Sequence, residues 1–176
     1  MSRFGSYIHR IPKVFLVLLC TITAVQANPP ALSLADINGD KIPMTNYIGK
    51  GQWVVANVWS PNCSLCLTEL PAIEAFNARN RSKGVIVLGI TIDFPSFGYG
   101  RIEVIKAFLH KHPLDYDILL ADLNSASQFI GNRLVGIPTT VIFDPEGNIH
   151  ARWAGDIDAD EIEQLMQRES DLLEEW

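Results

Sequence analysis

The sequence predicts one α/β domain, and the order of its apolar runs indicates this fold class. Residues 53–59 and 85–92 are short, valine- and isoleucine-rich runs, which are typical of buried strands in parallel sheets. Between them, residues 64–79 carry apolar side chains at spacings of three, as an amphipathic helix does. Two later runs, residues 139–143 and 149–153, flank a turn sequence and predict a hairpin. A central mixed sheet flanked by helices accounts for this order.

The other predicted elements complete the domain. Residues 31–47 alternate and contain Asn38-Gly39, a strong hairpin signal, so they predict an N-terminal β-hairpin. The remaining segments are predicted in chain order as a loop at residues 93–100, a helix at 102–111, a strand at 117–120, a short helix capped by Asn124-Ser125 that reaches Ile130, and a C-terminal helix at 158–176.

Residues 1–27 have the composition of a signal peptide. Basic residues precede an apolar run at residues 14–25, which is shorter than the roughly 20 residues that span a bilayer. Ala27 fits the small-residue rule for cleavage, so the mature domain would occupy residues 28–176. Two alternatives stay open: the segment is retained as an uncleaved membrane anchor, or Cys20 is a lipidation site.

The composition excludes some classes of partner. The chain has 176 residues, 48% of them hydrophobic, and a net charge of −6. A nucleic-acid-binding protein would need a clustered basic face, which this acidic chain lacks, so we expect no nucleic-acid partner. The length suits a single domain, and we expect a monomer.

Two cysteines three residues apart, Cys63 and Cys66, stand where the strand at residues 53–59 should give way to a helix. A thiol at a helix N-terminus is favoured as the thiolate, and in Cys-x-x-Cys motifs its pKa falls to about 3.5–7.5. The second thiol, one turn later, can attack the first sulfur and close a disulfide. A pair this close cannot staple a fold, so the spacing predicts thiol exchange over a structural pair or a zinc site.

These motifs resemble those of the thioredoxin superfamily, and within it the exported thiol–disulfide oxidoreductases of the TlpA/ResA type. The resemblance is carried by residues 59–66, by Glu69 and Pro71, and by the distant Gly136-Ile137-Pro138-Thr139-Thr140. It implies a thioredoxin fold with an N-terminal β-hairpin extension. It also implies that the Cys63–Cys66 disulfide is itself the redox centre, with no organic cofactor and no metal.

The resemblance implies a third catalytic residue, Glu69. On a helix this residue shares a face with Cys63 and Cys66, and in ResA-like proteins a glutamate at this position takes the proton of the second thiol. Apolar surroundings would raise its pKa for that task. Asn57 supports this role, because thioredoxins carry a buried aspartate at that strand position. The alternative is an acid favoured only by the helix dipole.

Substrate-binding residues are implied around the pair. In the superfamily the proline at position 138 is cis and faces the redox pair, so Ile137 would present its backbone to an extended substrate strand. Asn62 replaces a second tryptophan of thioredoxin and makes the surface more polar. Trp59 flanks the site either as a substrate contact or as core packing.

The resemblance implies a periplasmic reductase of client disulfides, anchored to the inner membrane if its leader is retained. A membrane electron-transfer protein would recharge it, and apocytochromes c are candidate clients.

Two alternative functions stay open. Ser60, three residues before Cys63, fits a peroxiredoxin-like peroxidase, although no arginine is placed by a motif. A copper carrier of this fold would use a Cys-x-x-x-Cys spacing with a downstream histidine.

Overall fold

The structure is a computed structural model that describes residues 31–168. The strands of this part of the chain are β1 (Ser33–Asp36), β2 (Lys41–Pro43), β3 (Val54–Trp59), β4 (Ile86–Asp93), β5 (Gly98–Tyr99), β6 (Asp117–Leu120), β7 (Thr139–Phe143) and β8 (Ile149–Ala154). The α-helices are α1 (Ser64–Asn80), α2 (Ile102–Lys111), α3 (Leu123–Phe129) and α4 (Ala159–Gln167).

The strands form a mixed sheet in the order β2-β1-β6-β4-β3-β7-β8, and β5 pairs with the end of β4. The three central strands β6, β4 and β3 are parallel, whereas β1 and β7 add to them antiparallel on either side. The predicted fold class, a mixed sheet flanked by helices with an N-terminal hairpin, is confirmed.

Strand β3 is buried along its whole length because helices cover both faces of the sheet. Ala56 and Val58 pack in the cluster that includes α3, whereas Val55 packs against α1 and α4 on the opposite face. This double burial explains why the strand reads as a continuous apolar run. Because α1 follows β3 directly, the N-terminus of α1 lies near the end of an internal strand of the sheet.

Two helix boundaries differ from the sequence prediction. Helix α3 is capped by Asp122, whose carboxylate accepts the Ser125 N–H at 2.7 Å, so the predicted cap at Asn124-Ser125 is wrong by two residues. The Asp122 side chain reaches the third helical N–H, which is the geometry of a capping box. Helix α4 begins after Asp158 and ends at Gln167, and the next residue, Arg168, has an extended backbone. The predicted continuation of this helix beyond residue 167 is therefore wrong at Arg168, and residues 169–176 lie outside the described residues.

The sequence predicts a loop at residues 93–100, but the structure also has a short strand within this segment. Gly98 and Tyr99 form β5, which pairs with Ile92 and Asp93 and folds the chain back over the end of β4.

The predicted signal peptide at residues 1–27 lies outside the described residues. Within residues 31–168, no helix has the length and apolar character that crossing a membrane requires.

Candidate active site

Cys63 and Cys66 are joined by a disulfide at the N-terminus of α1, with their Cα atoms 5.2 Å apart. Cys63 is the N-cap residue of the helix, and its sulfur accepts the Cys66 N–H at 3.2 Å. An N-cap position favours a negative charge, so this hydrogen bond and the helix dipole would stabilise a Cys63 thiolate. Both cysteines are buried, and Cys63, at 5% exposed, is the more accessible residue, since Cys66 is 1% exposed.

The Ile137–Pro138 segment faces this disulfide. The peptide bond between the two residues is cis, and the Ile137 carbonyl oxygen lies 3.9 Å from Cys63 Sγ. The Pro138 carbonyl accepts the Gly155 N–H at 2.9 Å, which ties this segment to the turn between β8 and α4. The structure therefore brings together the redox pair and the segment that the sequence places more than 70 residues downstream.

The two predicted flanking residues occupy different environments. Asn62 is exposed beside Cys63, and its side-chain amide donates to the Phe94 carbonyl at 3.3 Å. Trp59 is fully buried and packs against Phe108, so of its two predicted roles the structure supports core packing over a substrate contact. It lies in the same core cluster as both cysteines, so core packing is its role here.

Two apolar side chains that are close to the site in sequence are exposed. Leu65 lies between the two cysteines and is 45% exposed, and Val135, two residues before Ile137, is 77% exposed.

Glu69 is buried under the redox pair, on the helix turn that follows Cys66. It is 3% exposed, and its Oε1 atom accepts a hydrogen bond from the Asn57 amide at 2.5 Å. The same amide donates to Thr140 Oγ1 at 3.1 Å. Among the described residues, Glu69 Oε2 has no hydrogen-bond partner of normal geometry. Glu69 is therefore a buried carboxyl whose Oε1 atom is held by the Asn57 amide.

These surroundings raise the pKa of Glu69 to about 8. Burial is the largest cause, because it penalises the charged carboxylate. The hydrogen bond from Asn57 works in the opposite direction, as does the backbone N–H of Ile157, and the negative charge of Asp156 adds to the rise. A carboxyl with this pKa can take up and release a proton near neutral pH.

The structure brings the seven predicted site residues together, with Trp59 as core packing beside the cysteines, and it adds two that sequence reasoning missed. Thr140 fixes the Asn57 amide, and its place in the Ile-Pro-Thr-Thr motif was a signal that could have found it. Asp156 acts on Glu69 from a turn with no motif of its own. A cysteine that caps the helix, a buried carboxyl one turn beyond the second cysteine and the adjacent Ile137 backbone can together perform thiol–disulfide exchange.

Comparison with known proteins supports this chemistry. A profile of the AhpC/TSA family matches residues 25–152. The chain is 24% identical over 140 residues to thiol-disulfide oxidoreductase ResA of Bacillus cereus, an alignment that covers 79% of this chain and 75% of the relative. It is 27% identical over 137 residues to the thioredoxin-like protein YneN of Bacillus subtilis (strain 168), with 78% and 75% covered.

Solved structures share the fold. A thioredoxin-family thiol:disulfide interchange protein from Chlorobium tepidum TLS superposes with a TM-score of 0.64 at 20% identity, covering 79% of this chain and 94% of the other. StoA from Bacillus subtilis superposes with a TM-score of 0.58 at 21% identity, covering 80% and 99%. The fold is thus that of thioredoxin, as the resemblance implied. The chain belongs to the AhpC/TSA family, and it is a thiol-disulfide oxidoreductase similar to ResA.

Proposed function

We propose that this protein is an exported reductase of client protein disulfides that works through Cys63 and Cys66. The observation that carries the proposal is the position of Cys63, which is the more exposed of the two cysteines, caps α1 and has its sulfur 3.9 Å from the Ile137 carbonyl oxygen. An extended client strand that pairs with the Ile137 backbone would bring its own disulfide against Cys63.

The cycle uses the two sulfurs in sequence. The Cys63 thiolate attacks one sulfur of the client disulfide, which forms a mixed disulfide and releases the other client sulfur as a thiolate. Cys66 then attacks Cys63 Sγ, which closes the Cys63–Cys66 disulfide and frees the reduced client. The redox-active disulfide serves in place of a cofactor, and a membrane electron-transfer protein would return the pair to the dithiol.

Glu69 acts as the base in the second step. Cys66 is almost fully buried, and a buried thiol loses its proton reluctantly. The Glu69 carboxyl lies one helical turn beyond it and titrates near neutral pH, so it can accept the Cys66 proton as the attack proceeds.

The location follows from the first 27 residues. A basic stretch, an apolar core and a small residue at the cleavage position direct export, and we propose the periplasm as the destination. Retention of this segment would anchor the domain to the inner membrane. Apocytochromes c remain the candidate clients that the family resemblance suggests.

A trapping experiment tests the order of the two sulfurs. With a disulfide-containing test protein, Cys66→Ser should accumulate a mixed disulfide at Cys63 that dithiothreitol releases, because the resolving thiol is gone. Cys63→Ser should form none, and the wild-type protein should reduce the substrate without accumulating the adduct. Trapping by Cys63→Ser, or rapid consumption of peroxide in place of client disulfide, would contradict the proposal.

The same wild-type preparation tests the direction of electron flow. Equilibration of the Cys63–Cys66 pair with glutathione buffers gives its reduction potential. A value near that of thioredoxin, about −270 mV, supports a reductase, whereas a value near −120 mV is that of an oxidant.

A further inference from the structure

The sheet order places a second segment beside the redox pair, the loop that follows β4. Strand β3 pairs with β4 on one side and with β7 on the other. Because β4 is parallel to β3 and β7 is antiparallel to it, the end of β4 and the start of β7 lie at the edge of the sheet where β3 leads into Cys63. The loop after β4 and the Ile137–Pro138 segment before β7 therefore flank the redox pair on opposite sides.

Phe94, the first residue of this loop, borders the redox motif. Its carbonyl oxygen accepts a hydrogen bond from the Asn62 side-chain amide at 3.3 Å, and Asn62 directly precedes Cys63. The Phe94 side chain is half-buried and packs against the apolar cluster to which both cysteines belong. Ile137 is also half-buried and packs against the same cluster. The rim of this cluster therefore has an aromatic side chain from one flanking segment and an aliphatic side chain from the other.

The loop holds the Phe94 ring in place. The Phe97 ring meets it edge to face, with 5.6 Å between the ring centroids. Phe97 has a φ of 55°, which is uncommon for a bulky residue, and its carbonyl oxygen accepts the Leu123 N–H at 3.0 Å. Asp93, at the end of β4, accepts a hydrogen bond from Arg101 Nε at 3.1 Å. A backbone conformation this uncommon persists only where the surrounding structure holds it, and such residues cluster at sites that bind ligands.

We propose that Phe94 is a specificity-determining residue, whose ring binds an apolar side chain of the client close to the cysteine that Cys63 attacks. The inference rests on the proposed function, in which a client strand lies along the Ile137 backbone. A client whose disulfide reaches Cys63 must lie over the rim of the cluster, so the client is the molecule that covers the Phe94 ring. The ring carries no charge, so an apolar side chain is the one that gains most by covering it.

The geometry of an extended strand indicates which client residue reaches the ring. Side chains two residues apart share one face of such a strand. A residue two positions from the client cysteine therefore faces the protein when the cysteine does. We expect apolar residues at these positions to speed the attack by Cys63.

The test compares two peptide disulfides as substrates of the reduced full-length protein. Each is a symmetrical dimer of a short peptide with one cysteine, so attack on either sulfur gives the same products. One peptide has leucine two residues before and two residues after the cysteine, and the other has serine at both places. Cys63 attacks one sulfur and releases the first peptide as a thiolate, and Cys66 then attacks Cys63 and releases the second. The second-order rate constant of peptide release, measured for each dimer, gives the preference for leucine.

We expect the wild-type protein to react about 10-fold faster with the leucine dimer, the size of a modest apolar contact. Phe94→Ala should reduce this preference to about 2-fold or less without slowing the reaction with the serine dimer. Phe94→Gln keeps more of the side-chain volume and should lose the preference in the same way, because covering its amide costs dehydration. Phe94→Leu should keep most of the preference. Damage to the fold would slow both reactions equally, so the ratio separates recognition from structure.

Tyr99→Ala is the matched control. Tyr99 is an aromatic residue of the same segment, lies in β5 and is 49% exposed. This variant should keep the wild-type preference. Equal rates for the two dimers in the wild type, an undiminished preference in Phe94→Ala, or an equal loss of preference in Tyr99→Ala overturns the proposal.

The preference does not depend on the direction of electron flow, because it is a ratio of two rates of attack by Cys63. A reduction potential typical of an oxidant, with a leucine preference that Phe94→Ala removes, would defeat the reductase function and leave the role of Phe94 standing. A potential typical of a reductase, with no leucine preference, would defeat the role of Phe94 alone.

Discussion

Glu69 gains its reactivity from opposing effects on one carboxyl. Burial disfavours the carboxylate and raises the pKa to about 8, whereas the Asn57 amide, which donates to Oε1, favours the carboxylate and limits the rise. The amide also donates to Thr140 Oγ1, and this second hydrogen bond orients it beside the carboxyl. The pKa of about 8 allows Glu69 to exchange a proton near neutral pH.

Glu69→Gln should remove the base and keep the shape of the site. We expect Cys66 to attack the mixed disulfide about 10²-fold more slowly at neutral pH, the usual contribution of a general base, and the pH dependence of that step to flatten. Stopped-flow measurement of single-turnover client reduction gives the rate. Glu74→Gln is the control, since Glu74 lies on the same helix but its carboxylate accepts the Asp115 N–H at 3.1 Å. A Glu69→Gln profile identical to that of the wild type would show that another group is the base.

At the scale of the elements, the sequence was sufficient to predict which site residues lie together wherever those residues belong to one helix. Cys63, Cys66 and Glu69 all belong to the start of α1, so their spacing alone predicts that they share a face. The effect of the Asp156 charge on the pKa of Glu69 was beyond prediction, because the turn that carries Asp156 follows β8 and is far from α1 in the sequence. No local pattern encodes that effect.

The environment of Trp59 shows a second limit. Its place beside the cysteine motif suggested a surface role, but side chains alternate along a strand, and Trp59 shares the face of Val55 that α1 covers. Alternation is hidden in a strand that is apolar on both faces, so the pattern does not tell which side chain faces the solvent. Burial of Trp59 is therefore a property of the sheet and its covering helix, and the sequence pattern alone leaves it open.

Gly89, in the middle of β4, gives Trp59 the space that it occupies. A Cβ at this position would lie 2.5 Å from Cδ1 of Ile118, 2.9 Å from the indole nitrogen of Trp59 and 3.2 Å from Cε2 of Tyr116. The side chains of Ile118 and Trp59 would have to move, so Gly89→Ala should lower the free energy of unfolding by about 1–3 kcal/mol, as overpacking does. Urea unfolding of the oxidised protein measures it. In Gly136→Ala the new Cβ meets nothing within 4 Å, and the change should stay within about 0.5 kcal/mol. Equal losses in the two variants would contradict the packing argument.

For the whole molecule, a buried group with a displaced pKa makes stability depend on pH. The Glu69 pKa is about 8 in the folded protein, against 4.5 for an unperturbed glutamate. Below pH 4.5 the carboxyl is protonated in both the folded and the unfolded state. Between these two values the folded protein holds a proton that the unfolded chain releases. The contribution of this group to stability is therefore complete at low pH and is lost as the pH rises.

The oxidised protein should accordingly become less stable between about pH 5 and pH 8, with Glu69 contributing at most about 1.4 kcal/mol for each pH unit. Glu69→Gln should flatten this slope, because an amide does not titrate. Urea unfolding at several pH values, with the disulfide intact so that no thiol titrates, measures the free energy of unfolding. Glu146→Gln, an exposed glutamate between β7 and β8, should keep the wild-type slope. Parallel curves for the wild type and Glu69→Gln would mean that the fold holds Glu69 no differently from the unfolded chain, and the proton that the redox step needs would then have to go elsewhere.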